Sequence, residues 1–219
     1  EGFYDDVAPL TGAEIEALAS VPAIDAQLKR ELGIADTEGD QSLYERLLYP
    51  SLTIKGISTG NVGQLARNVI PSIATSAIGI RLVKGNDPEK MQDLVEAHIR
   101  KQGYYIVRED PDQETRLKYP KIAKVVRESG YPAARTSMDE PTAKQVVNAV
   151  KGVVGDDLIL LPTLGGSLPL YLFTDVLQKP AIIVPVANHD NNQHAPNENL
   201  RMENLWYSIK LMGAIMLME

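Results

Sequence analysis

The chain has 219 residues, a formal net charge of -7, 44% hydrophobic and 23% charged residues, and no cysteine. It is long enough for one generous domain or two small ones. Clustered Lys and Arg of the kind that meets a phosphate backbone is missing, which argues against a nucleic-acid partner. No stretch approaches the run of about 20 apolar residues that a membrane span needs, so the chain is expected to be soluble. Without cysteine there are no disulfides, thiolate zinc sites or Cys nucleophiles, and cytoplasmic, periplasmic and secreted locations stay equally open. The opening "EGFYDD" has neither Met nor a signal segment, so residue 1 is read as lying inside a longer gene product.

Residues 1–50 read as short helices broken by turns. "TGAEIEAL" has Thr11 as N-cap with Glu14 at capping-box spacing, and "IDAQLKRELGI" repeats Ile24, Leu28 and Leu32 before a terminating Gly33. "SLYERLLYP" adds a short helix ending near Pro50. From Ser51 the period changes. "SLTIKGIS" and "IATSAIGIRLV" read as strands; in the second, Ser76, Ile78, Ile80 and Leu82 form a greasy face, and Thr75, Ala77, Gly79 and Arg81 form a small-residue face. "DPEKMQDLVEAHIRKQ" reads as an amphipathic helix covering the greasy face, followed by a strand at "YYIVRE".

After "EDPDQETRLKYP" the pattern alternates. "KIAKVVRES", "PTAKQVVNAVKGVV", "GSLPLYLFTDVLQ" and "MENLWYSIKLMGAIMLM" read as helices, and "DLILLPT" and "AIIVPV" as buried strands. Short continuous apolar strands between helices mark a parallel sheet covered on both faces, with ligands expected beyond the C-terminal strand ends. Two loops fall there: "LGGSLPL" and "NHDNNQHAPNENL".

His194 lies in the second loop, where an imidazole could ligate zinc with Asp190 or Glu198 orienting it. The competing reading is a loop histidine among turn-forming asparagines. Gly165, Gly166 and Ser167 allow close backbone approach at a helix N-terminus, or form a tight turn with Ser167 as cap. Arg81, above small residues, is placed to clamp a carboxylate bidentately, or is an exposed strand arginine with a neighbouring partner. Asn68 is a lone polar group before "VIP", and His98 a residue on a helix flank. The acidic loops leave calcium as a third class of reading, on composition only.

"GFYDDV", "NVIPSIATSAIGIRLVKGNDPEK", "LGGSLPL" and "HAPNENL" together resemble, in sequence and order, the lid and C-terminal catalytic segments of the di-zinc metallopeptidases of the carnosinase, glutamate carboxypeptidase and ArgE/DapE type, with "GFYDDV" pointing to the dipeptidase branch. The resemblance runs over nearly the whole chain. It implies an α/β fold: the C-terminal part of a mixed or parallel sheet catalytic domain with helices on both faces, plus an α+β two-layer lid. The lid would be residues 1–115, incomplete at its N-terminus, and the catalytic segment residues 116–219.

The same resemblance implies two zinc ions in the complete enzyme, with manganese or cobalt as alternatives, and a substrate that is a small peptide or N-acyl amino acid. It also implies a homodimer formed through the lid. His194 matches the C-terminal zinc-ligand histidine, followed by the small Ala195. Arg81 matches the lid arginine that grips the substrate carboxylate, Asn68 falls at a polar substrate contact, and Gly165, Gly166 and Ser167 match a substrate-contacting loop. The family's H-x-D motif, E-E pair and general-base glutamate are not in this sequence, so the chain alone is expected to be inactive. The alternative is a non-catalytic dimerisation or amino-acid-binding module that keeps the fold.

Overall fold

A computed structural model of the protein describes residues 1–218. Contacts sort the chain into two units, neither continuous in sequence: Glu1–Ala8 with Leu48–Ala133, and Pro9–Leu47 with the residues from Ala134 onward. This grouping differs from a cut near residue 115. Residues 116–133 fall in the first unit because a strand there pairs with the strand at Tyr105. Residues 9–47 fall in the second, where the buried Glu14 carboxylate meets Arg135 Nε at 3.3 Å and Arg135 also donates to the Pro9 carbonyl at 2.7 Å.

In the first unit, β1 (Ser51–Thr59) and β2 (Ala74–Arg81) form an antiparallel hairpin. The register shifts between Ile54 and Gly56, so Lys55 is the extra residue of a bulge. The helix α4 (Pro88–Lys101) starts as its sequence predicts: the Asp87 carboxylate accepts from the Lys90 amide at 2.8 Å, and Pro88 takes the first helical turn. The greasy face of β2 is not fully covered, because Ile78 remains 42% exposed, and the loop before β2 leaves Val62, Leu65, Val69 and Ile70 in the open.

The motif "GFYDDV" docks on the turn before α4. The Ala8 amide donates to the Lys84 carbonyl at 2.9 Å, and Lys90 pairs with Asp6. Gly85, at φ 104°, allows that approach, since a Cβ there would stand 2.0 Å from the Asp6 carbonyl oxygen.

"KIAKVVRES" is not the helix that its spacing suggests. It supplies β4 (Ile122–Lys124), parallel to β3 (Tyr105–Val107), and the intervening "DQETRLK" supplies a helix capped by Asp112. The run Ile122, Ala123, Val125, Val126 satisfies either period, and strand pairing with β3 resolves the ambiguity. An ion network then ties this region to α4. The Glu96 side chain, 2% exposed, accepts from Arg127 Nε at 2.6 Å, from Arg108 at 2.6 and 2.9 Å, and from Arg100 at 3.0 Å. The Arg127 and Arg108 guanidiniums hold its carboxyl down at about 2.

Glu96→Ala is expected to lower the stability of this unit by about 2 kcal/mol. That is less than the loss of a fully buried ion pair, because Arg100 and Arg108 remain half exposed and hydrated. Because the folded carboxyl titrates below its unfolded value, the contribution is complete above about pH 4.5 and disappears as pH falls toward 2. Urea unfolding of both proteins across that range measures it. A gap between them that stays constant from pH 6 to pH 3 contradicts the assignment.

In the second unit, the N-terminal helices form as their caps dictate. In α1 (Gly12–Ala19) the Thr11 amide donates to Glu14 at 2.8 Å and Thr11 Oγ1 accepts in return. α2 (Asp25–Leu32) ends at Gly33 with φ 65°, and α3 (Leu43–Arg46) repeats the capping box with Ser42 and Glu45. With the Asp112-capped helix numbered α5 (Gln113–Lys118), the closing pair is α6 (Pro141–Val154) and α7 (Met202–Met216). Val146 and Val150 of α6 meet the fully buried Leu211 of α7, and Leu158, Ile182, Val184 and Val186 pack on this core.

"DLILLPT" and "AIIVPV" carry no strand ladder among the described residues. Their alternation is visible all the same: Ile182, Val184 and Val186 face the helices, while Ile183 is 46% exposed. A strand ladder requires a neighbouring strand to exchange N–H and C=O bonds, and the ladders among the described residues are β1 with β2 and β3 with β4. "GSLPLYLFTDVLQ" likewise condenses to a single π turn, Leu172–Val176. Pro169 removes a helical donor, and Leu168, Phe173 and Val176 are half exposed or more, so no packed apolar face supports a longer helix.

Candidate functional site

The predicted site residues divide between the two units: Asn68 and Arg81 in the first, Gly165–Ser167 and His194 in the second. Arg81 closes β2 opposite Ser51 and is exposed. Gly79, two residues earlier on the same face, has the Lys55 chain lying across it, with a Cβ there meeting Lys55 Cδ at 3.2 Å. The face that carries Arg81 therefore carries a second cation from the β1 bulge, which the sequence reading missed. A glycine inside a strand was the available signal, since it marks close approach by another chain segment. Asn68 is exposed in the loop between a short 3-10 turn (Gly63–Leu65) and β2.

Gly165, Gly166 and Ser167 are exposed and precede no α-helix. The expectation of helix N-terminal amides at this loop is corrected accordingly: a five-residue π turn that starts at Leu172 presents no such array next to Ser167. Gly166 has φ 154°, which favours glycine, and a Cβ on Gly165 would meet Leu47 Cδ2 at 3.3 Å, so the leucine side chain would have to shift slightly.

His194 lies on the loop joining residues 181–186 to α7. The five asparagines that made the loop look like plain turn sequence have separable jobs. Asn192 and Asn197 take positive φ values of 54° and 63°, and Asn191 accepts from the Gln193 amide at 3.1 Å. The Asn199 amide donates to the Asn191 carbonyl at 2.9 Å, and Asn188 is buried at the base. His194 itself has φ 62°, a left-handed conformation uncommon outside glycine, though His joins Asn and Asp in adopting it more often than other residues, and its side chain is exposed.

Asp190 does not serve as an orienting partner for the imidazole. Its oxygens accept from Asn188 at 2.7 Å and from Arg201, and these hydrogen bonds hold its carboxyl below the ordinary aspartate range. His189 turns to α2, with Nε2 3.5 Å from Glu31 Oε2. Among the described residues no group of three or more His, Cys, Asp or Glu side chains is placed to hold a metal ion. His194 can contribute one donor, and the described residues do not complete a coordination shell around it.

Residues 14–106 match the family model of a peptidase dimerisation domain. The chain is 29% identical, over 98% of its length, to the Cys-Gly metallodipeptidase DUG1 of Saccharomyces cerevisiae, of which it covers 43%. It is 25% identical, over 99% of its length, to the Beta-Ala-His dipeptidase of Homo sapiens, of which it covers 42%. Among solved structures, an M20 family metallo-carboxypeptidase, Sso-CP2 from Sulfolobus solfataricus, superposes with a TM-score of 0.78 and 25% identity. That match covers 98% of this chain and 46% of the other. The chain thus spans less than half the length of the curated relatives it matches. Among the described residues no helix is long and apolar enough to cross a membrane.

Proposed function

Since the chain is related to the M20 family metallopeptidases, we propose that it is the C-terminal part of a metal-dependent dipeptidase or related amidohydrolase. The observation that carries this reading is the continuous alignment of nearly the whole chain with less than half of each metallodipeptidase. His194 would hold, with ligands from the rest of the complete enzyme, a divalent metal, with zinc expected and manganese or cobalt as alternatives, and when bound that ion would supply an activated water for hydrolysis of a peptide or amide bond. This chain supplies His194 as one donor; the remaining ligands and the general base come from residues outside it.

Arg81, with Asn68 nearby in sequence, binds the free carboxylate of a small peptide or N-acyl amino acid. Gly165, Gly166 and Ser167 contact the substrate near the scissile bond. The unit built on the β1–β2 hairpin and α4 is the lid, and the part of the dimerisation-domain match that falls in it, residues 48–106, supports a homodimer formed through it. The unit containing α6 and α7 is the catalytic segment. The exposed side chains of Ile159, Leu168 and Ile183 are where the rest of the catalytic sheet would pack.

The 219 residues alone are expected to hydrolyse no dipeptide, because a single imidazole does not retain a catalytic metal. The test is an assay of this chain with added zinc beside a His194→Ala control. Hydrolysis above the control overturns the assignment of the missing ligands. A full-length protein carrying this chain should hydrolyse dipeptides and lose that activity to a chelator, and one that binds dipeptides without cleaving them would instead be the non-catalytic module.

A further inference from the structure

We propose that Asn188 is a positioning residue: a buried carboxamide that clasps the two ends of the His194 loop and holds that imidazole where it can be used. Asn188 is 7% exposed, in a segment where the neighbours His189, Asp190 and residues 193–200 are all exposed. Both ends of its amide are engaged. Oδ1 accepts from the Arg201 backbone amide at 3.1 Å, and Nδ2 donates to Asp190 at 2.7 Å and to Asn199 Oδ1 at 3.4 Å.

Residues on both sides of the loop base are therefore joined through one side chain. Further bonds close around it: Arg201 pairs with Asp190, the Asn199 amide donates to Asn191, and Asn204 of α7 donates to the Val186 carbonyl at 2.8 Å. A carboxamide is the group suited to this place, because it offers donor and acceptor at once without adding a charge beside Asp190. Asn192 and Asn197 tolerate their left-handed conformations, whereas His194, at φ 62°, depends more on its surroundings to stay in one. The base of the loop is the part built to hold it there.

The effect on metal capture rests on the reading of His194 as a ligand, whereas the clasp itself does not, and the experiment separates the two. In the full-length protein, hydrogen exchange of the Ala195, Asn199 and Arg201 amides and zinc affinity by chelator competition are compared for wild type, Asn188→Ala, Asn188→Asp and His194→Ala. Asn188→Ala should speed exchange of the loop amides about tenfold or more, leave exchange in α6 and α7 unchanged, and weaken zinc about tenfold, the scale of losing an orienting partner around a ligand. Asn188→Asp keeps the acceptor for Arg201 but sets a carboxylate against Asp190, so it should loosen the Asp190 and Asn199 side of the loop. It also decides the matter if the alanine variant disturbs the helices.

Unchanged loop exchange in both variants overturns the clasp. Zinc affinity that falls with His194→Ala but stays at the wild-type value in both Asn188 variants overturns its role in presenting the imidazole. Zinc affinity indifferent to His194→Ala overturns the metallopeptidase reading instead, and the exchange data still judge the clasp.

Discussion

In the full-length protein, His194→Ala is expected to cut dipeptide hydrolysis by about three orders of magnitude and to lower the bound metal per chain. On the proposed reading His194 would be one of about five protein ligands of a two-metal site, and its loss would weaken retention of the metal that activates the water. A barrier increase of about 4 kcal/mol corresponds to that loss in rate. His189→Ala is the internal control. That imidazole faces Glu31 of α2, away from the loop, so its removal should leave both rate and metal content near wild type. Metal content and kcat that survive His194→Ala would remove this residue from the site.

Arg81→Ala should raise KM for dipeptides by roughly 10- to 150-fold with a smaller change in kcat, the range of a lost charge-assisted hydrogen bond of about 1.5–3 kcal/mol. Arg81→Lys should recover part of the affinity, since an ammonium restores the charge but not the two-pronged fit to a carboxylate. The chemistry is checked on the substrate side by amidating the C-terminus: wild type should lose affinity for the amide, and Arg81→Ala should hardly distinguish the two. Equal discrimination by both proteins would place the carboxylate elsewhere. Lys55, lying over Gly79 on the Arg81 face, is the residue to vary next in that event.

Local chemistry was legible wherever a short stretch contains its own cause. Thr11 with Glu14, Ser42 with Glu45, Asp87 with Pro88 and Gly33 after α2 each satisfy backbone groups within a turn of themselves, so those helix ends are readable without a fold. The order of the four family-like motifs was legible for the same reason, and it led to relatives whose similarity covers nearly all of this chain. The individual roles of Arg81, Asn68, Gly165, Gly166, Ser167 and His194 remain assignments for the experiments above.

What depends on distant partners was not legible. Whether "KIAKVVRES" becomes helix or strand is decided by β3 alongside it, and "DLILLPT" and "AIIVPV" are in no ladder among the described residues, because a ladder needs a partner strand that the segment itself does not contain. The same holds for polar groups. Glu96 reads as one more charge on an amphipathic helix, and Asn188 as one more asparagine in a turn-rich loop. Arg108 and Arg127 bury the first in an ion network; Asp190, Asn199 and Arg201 close around the second. Periodicity and capping act over one or two turns of chain, whereas the burial of a polar side chain is a property of everything packed around it, which no single stretch of sequence contains.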